Sequence, residues 1–291
     1  MGDTVTFIGF GEAGRAFATG WPGDAPRAFD VKIGDAAIRS TQLAAYDRAG
    51  VIGHESAASA LSGAEAVFCV VTADQALGAA EHYAPLLEPG ALWLDMNSVA
   101  PDTKRMAAGT IEAAGGRYVD VAVMAPVHPA MRAVPLLVSG LHVDEAGELL
   151  ARCGFSDVRN VGSQIGRASA IKMVRSVLVK GLEALTAECV LAADAAGIRD
   201  EVLASLDASW RETSWAERAD YNLDRMIVHG LRRAAEMDEV VKTLDALGTG
   251  SAMARASAER QRDIGKRHLR SPQGLSAKIE AVLGSRKDQA A

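Results

Sequence analysis

The chain is 291 residues long, enough for two domains at roughly 100 to 200 residues each. Apolar residues make up 49% of it and charged residues 23%, which is ordinary for a folded protein and too hydrophobic for a disordered one. Basic residues number 31 and acidic ones 37, a net charge of -6, so no basic field exists to draw in nucleic acid, and no run of about 18 apolar residues predicts a membrane span. Cys69, Cys153 and Cys189 are far apart and odd in number, without CxxC spacing. Neither a disulfide framework nor a metal site is expected, and the setting is expected to be a reducing cytoplasm, with no signal peptide.

Short β-rich runs alternate with helical stretches through the first half. Strands are predicted at 5–8, 28–29, 66–71, 92–95 and 117–121, several lacking a polar face, and helices at 36–49, 55–62, 74–87 and 102–114. Such repeated βα units predict a parallel sheet covered on both sides. A further strand pair near 135–138 and 158–161, with a helix at 144–152 between them, is expected to finish it. After Gly162 the β-branched runs disappear. From Gly166 to about 196 the chain has no proline, and Gly197 is a stop signal, which predicts a helix roughly 45 Å long. The expected domains are therefore 1–162 and an all-helical 163–291.

Gly9, Gly11 and Gly14 form GxGxxG between the first strand and the helical run from Glu12. The three positions suit a tight turn, a close approach of backbone to a pyrophosphate, and close packing of helix on strand. Phe10, Glu12 and Ala13 complete the predicted loop, whose N–H groups would face phosphate. Asp30 follows 21 residues after Gly9, where an acid hydrogen-bonds the adenosine ribose; it favours NAD, while the neighbouring Lys32 leaves NADP open. Thr72, Ala73, Asn97 and Ser98 follow later strands and are expected at the same C-terminal sheet edge, beside the cofactor.

GFGEAG at the start, DMNSVAP at 95–101, DVAVMAP at 120–126 and G-x-A-x-x-x-KMVRS from Gly166 to Ser176 resemble the β-hydroxyacid dehydrogenase family over essentially the whole chain. The similarity is to its 6-phosphogluconate and 3-hydroxyisobutyrate dehydrogenase type, in a subgroup with a divergent C-terminal domain. It implies an α/β, Rossmann-like dinucleotide-binding domain followed by an all-α domain, a homodimer, and hydride transfer to or from a small hydroxy acid or related compound. It implies Lys172 as general acid and base, with Ser176 one helical turn on, where the family has Asn. Ser98 and the backbone of Val123, Met124 and Ala125 would position substrate.

Departures from the family pattern bear on the substrate. Met124-Ala125-Pro126 stands where the family has a Ser-Gly-Gly turn, and Pro126 has no N–H to offer a carboxylate. Arg175 replaces His or Asn, and either grips an anion with its planar fork or faces a domain interface. His128 follows the altered loop and is a further donor candidate. Glu236 falls where the family has Asp, and with His229, Arg232 and Arg233 it forms either a salt-bridged helix face or a substrate contact. Two alternatives stand beside the dehydrogenase: an imine reductase, and a dinucleotide-binding sensor without catalysis.

Overall fold

The computed structural model describes residues 4–209, 214–248 and 250–289. In chain order the first part reads β1 (Val5–Ile8), α1 (Glu12–Ala18), β2 (Arg27–Phe29), α2 (Arg39–Ala49), β3 (Ile52–Gly53), α3 (Ala57–Leu61), β4 (Ala66–Cys69), α4 (Ala76–Tyr83), β5 (Leu92–Asp95), α5 (Pro101–Ala113), β6 (Arg117–Val123), β7 (Leu136–Ser139), α6 (Val143–Arg152) and β8 (Val158–Asn160). All residues of β1, β4, β5 and β7 are buried, as strands covered on both faces must be, and this explains their uninterrupted apolar runs. The eight strands form one sheet in the order β3-β2-β1-β4-β5-β6-β7-β8.

Every neighbouring pair is parallel except β6 and β7, which pair Asp120 with Ser139 and Val123 with Leu136 antiparallel. That reversal departs from the expected parallel sheet. A parallel neighbour needs a crossover of a dozen or more residues, usually a helix, whereas the link from Val123 to Leu136 contains only a 3-10 turn at Met131–Ala133. The expected helix at 74–87 is also interrupted, because Pro85 opens a separate 3-10 turn at Ala84–Leu86. The two-residue β3, exposed at both positions, has no β-rich run to announce it.

The second part consists of α7 (Arg167–Ala195), α8 (Arg199–Ser209), α9 (Trp215–Leu247), α10 (Ala252–Gly265) and α11 (Leu275–Gln289). The chain divides into two compact units after Met173, inside α7, rather than at 162. The first turn of α7 belongs with the sheet because Ala168 packs on Ala122 of β6 and Leu137 of β7. In the second unit, Leu223, Met226 and Ile227 of α9 join Val190, Ile264 and Ile279 in a separate core. A Cβ added to Gly230 would lie 2.5 Å from the Gln261 carbonyl, so α9 and α10 touch through their backbones.

The first unit also buries charge. Lys104 of α5, wholly buried, donates to the Asp95 carbonyl at 2.6 Å and lies 3.0 Å from Asp95 Oδ1 and 3.4 Å from Asp120 Oδ1. Asp95 and Asp120 are register partners on β5 and β6, so without an intervening cation two carboxylates would face each other out of water. Lys104→Met should destabilise the protein by about 3 to 5 kcal/mol, because the carboxylates lose their buried partner. Urea unfolding followed by circular dichroism measures it; a loss under about 1 kcal/mol would mean the carboxylates do not need this cation.

Candidate functional site

The glycine loop is shaped by contacts that only glycine permits. Gly9 has φ +86°, and an added Cβ would lie 2.8 Å from the Val70 carbonyl at the end of the neighbouring strand. Gly14, buried in α1, would bring a Cβ within 3.0 Å of the Gly9 carbonyl. Gly11 is different: a Cβ there would meet nothing within 4 Å. Its missing side chain is thus not required by internal packing, and the opening lies at the start of α1, which no side chain caps. Glu12 and Ala13 form the first turn, whose N–H orientation suits an anion.

Asp30 closes β2 and is buried, with both oxygens engaged by backbone. Oδ2 accepts from the Phe10 N–H at 2.7 Å and Oδ1 from the Lys32 N–H at 3.0 Å. The carboxylate therefore fastens the glycine loop to the end of β2, a role the spacing did not reveal. Each oxygen retains further acceptor capacity for a ribose hydroxyl. Lys32 is exposed. Thr72, also exposed, and the half-buried Ala73 follow β4 at the same edge of the sheet.

Asp95 organises the loop after β5. Its Oδ1 accepts from the Asn97 backbone N–H at 3.0 Å and from Asn97 Nδ2 at 2.7 Å, while its Oδ2 accepts from the Tyr118 hydroxyl at 2.6 Å. Asn97 Oδ1 is buried with no partner, an acceptor available to a ligand donor at the sheet edge where nucleotide ligands bind. The open position at Gly11 and this orphaned carbonyl fit a dinucleotide.

The next residue, Ser98, accepts a hydrogen bond from Lys172 Nζ. Two features bring that lysine there. Gly166 has φ +91°, and an added Cβ would be 3.0 Å from Pro101 Cβ, so glycine lets the chain entering α7 rest against the residue that ends the DMNSVAP segment. Ser169 then donates its N–H to Asp120 Oδ2 at 3.0 Å and its hydroxyl to Oδ1 at 2.6 Å. Lys172 is half-buried.

The remaining candidates divide. Val123 ends β6 and is buried, Met124 is half-buried with its N–H on the Pro135 carbonyl at 2.9 Å, and Ala125 and His128 are exposed on the following loop. Arg175 is exposed. Ser176 is buried in the second unit, where its hydroxyl accepts from Lys180 Nζ at 3.4 Å. Lys180 in turn lies 2.7 Å from Glu236 Oε2, and Arg233 makes a two-pronged buried pair with Glu183. Among the described residues no group of His, Cys, Asp or Glu is arranged to hold a metal ion.

Burial, and secondarily the nearby Asp95 charge, pushes the Cys69 thiol up to about 12, so it stays protonated at ordinary pH despite lying 3.3 Å from Asn97 Nδ2. Cys153 is buried too, whereas Cys189 is exposed. At about pH 8 a disulfide reagent such as DTNB should reach Cys69 and Cys153 only after denaturation. The loop generates a second expectation. Gly11→Ala should melt within about 2 °C of the parent, since its Cβ meets nothing, yet weaken NADH binding about tenfold or more in a fluorescence titration. Unchanged affinity would show that no ligand backbone approaches this position.

Comparison with known proteins gives consistent findings. Residues 4–154 match the NAD binding domain of 6-phosphogluconate dehydrogenase, and residues 193–264 match a domain of unknown function, DUF1932. A conserved hypothetical protein from Sinorhizobium meliloti 1021 is 34% identical, with 98% of this chain and 97% of that one covered and a TM-score of 0.74. The 3-hydroxyisobutyrate dehydrogenase of Mycobacterium tuberculosis, solved with L-serine, shares the fold at 18% identity and a TM-score of 0.73, covering 96% of this chain and 99% of that one. An uncharacterised 28.5 kDa protein of Methanothermus fervidus is 28% identical over 179 residues, 60% of this chain and 66% of that protein's length.

Proposed function

The chain belongs to the β-hydroxyacid dehydrogenase family through its 6-phosphogluconate dehydrogenase-type NAD-binding domain, and from that premise we propose that it oxidises a hydroxy acid or related hydroxy compound, or reduces the corresponding carbonyl. A nicotinamide dinucleotide, when bound, supplies the hydride acceptor or donor. The observation that carries this reading is the hydrogen bond between Lys172 and Ser98 at the C-terminal edge of a sheet whose glycine loop and orphaned Asn97 carbonyl fit a dinucleotide.

In this reading the Lys172 amine accepts the substrate hydroxyl proton during oxidation, and its ammonium returns that proton during reduction. Ser98 fixes the direction of Nζ, which matters because misplacement of a reacting group by about 1 Å can cost about a hundredfold in rate. The backbone from Val123 to Ala125 borders the substrate. Pro126 contributes no N–H, so a substrate carboxylate is held otherwise than by a turn of three amides. Asp30 supports NAD over NADP, because a carboxylate at the end of β2 repels a 2'-phosphate. A homodimer is supported by Val174, Leu178, Leu182 and Leu185, apolar residues of α7 that are 44 to 67% exposed at helical spacing.

The test is absorbance at 340 nm with a panel of 3-hydroxy acids, sugar acids and aryl β-hydroxy compounds, each with NAD and NADP. Turnover that falls at least about a thousandfold in Lys172→Ala while NADH affinity stays within about twofold is the expected result. Tight cofactor binding with no turnover in either protein would instead favour a sensor. Replacing Leu178 and Leu185 together by Glu should convert a dimer into monomers in analytical ultracentrifugation.

A further inference from the structure

The buried charges beneath the loop at 95–98 do more than any strand pairing requires. Lys104 Nζ has three N–H bonds and three acceptors in reach, namely the Asp95 carbonyl, Asp95 Oδ1 and Asp120 Oδ1. Asp95 also accepts from Asn97 twice and from Tyr118, and Asp120 also accepts from Ser139 at 3.1 Å and from Ser169 twice. A carboxylate offers about four lone-pair directions, so both acids are saturated. A buried network whose two carboxylates and ammonium are all satisfied is rigid, and these groups have no slack with which to absorb the loss of one bond.

The partners are not spread evenly around the sheet. Asp95 holds Asn97, the residue before Ser98, and Asp120 holds Ser169, one turn before Lys172 on α7. The hydrogen bond from Lys172 to Ser98 closes the ring. Lys104 touches both acids, and it reaches them from α5, which carries none of the candidate site residues. Hydrophobic residues of similar volume often match or exceed the stability of a buried ion pair. Stability alone thus gives no reason for three buried charges at the ligand edge of the sheet.

We propose that Lys104, Asp95 and Asp120 are positioning residues for Lys172, a buried clasp that sets the loop carrying Ser98 and the first turns of α7 at a fixed separation. This rests on the reading of Lys172 as the proton-exchanging group. Lys104 touches neither substrate nor cofactor, and it acts through Asp95 and Asp120 alone.

The mildest test is Ser169→Ala, which removes one hydroxyl from Asp120 and leaves the Ser169 N–H, the lysine and both carboxylates in place. It is compared with Lys104→Met, used only if its near-ultraviolet circular dichroism matches that of the parent. Steady-state kinetics on whichever hydroxy compound the parent turns over should show kcat down about tenfold or more in Ser169→Ala, with KM and NADH affinity within about twofold. A structural bond alone would lower the melting temperature without that split. A second readout needs no substrate: competitive acetylation with acetic anhydride, resolved by mass spectrometry, follows the reactivity of Lys172 against pH. The Lys172 profile should change at least about threefold in rate in Ser169→Ala, while exposed lysines such as Lys32 keep theirs. Parent-like kcat and a parent-like Lys172 profile would overturn the clasp. If the parent turns over nothing in the panel, the dehydrogenase reading fails separately, and the acetylation profile alone decides whether the clasp positions Lys172.

Discussion

A lysine ammonium held between two carboxylates, all three out of water, is the constraint on which the first unit is organised. Asp95 and Asp120 stand opposite each other on neighbouring parallel strands, and Lys104 offsets their charge from the helix that connects those strands. An unpaired buried carboxylate would be too costly to persist in ionised form, so strands, helix and cation depend on one another. The neutral donors follow from the same need. Tyr118, with its hydroxyl on Asp95 and its own ionisation pushed far up by burial and by the two acids, serves as a fixed donor.

From this constraint the site inherits its geometry. The turn after β5 cannot take an arbitrary path, because Asn97 is bound through both backbone and side chain to Asp95. The start of α7 cannot lift from the sheet, because Ser169 is bound twice to Asp120, and Ala168 donates its N–H to Ser139 at 3.0 Å. Glycine at 166 then permits the approach to Pro101 that a side chain would block. On the other side of the sheet edge, Asp30 performs the equivalent task for the glycine loop by taking the Phe10 N–H. Carboxylates at strand ends, used to tie down loops, recur at both places.

Legibility in the sequence followed the range of the interactions. GxGxxG was readable because its requirement is local: a strand, a turn and a helix within ten residues. The long helix was readable because no proline interrupts it and Gly197 stops it, and it spans Arg167–Ala195 against an expected 166–196. The Lys104 network was missed although its parts were visible. Leu92-Trp93-Leu94 runs straight into Asp95, and Asp120 interrupts the apolar run from Tyr118 to Val123. Lys104 lies on the same helix face as Pro101, Ala107, Ala108 and Ile111, all buried. A cation on an apolar stripe and two acids on apolar strands are each anomalous alone and explain one another only when the register of β5 and β6 is known.

By itself the sequence determined the alternation of strands and helices apart from β3 and the break at Pro85, where the cofactor loop must turn, and the family to which the chain belongs, because those properties rest on periodicity, glycine geometry and short motifs. Tertiary structure alone decided that β7 runs antiparallel to β6, that Asp30 engages the glycine loop, that Ser176 and Glu236 both contact Lys180, and that Lys172 meets Ser98. Each of these depends on contacts between residues distant in the chain, and no spacing along a sequence encodes which distant partner will satisfy a buried charge.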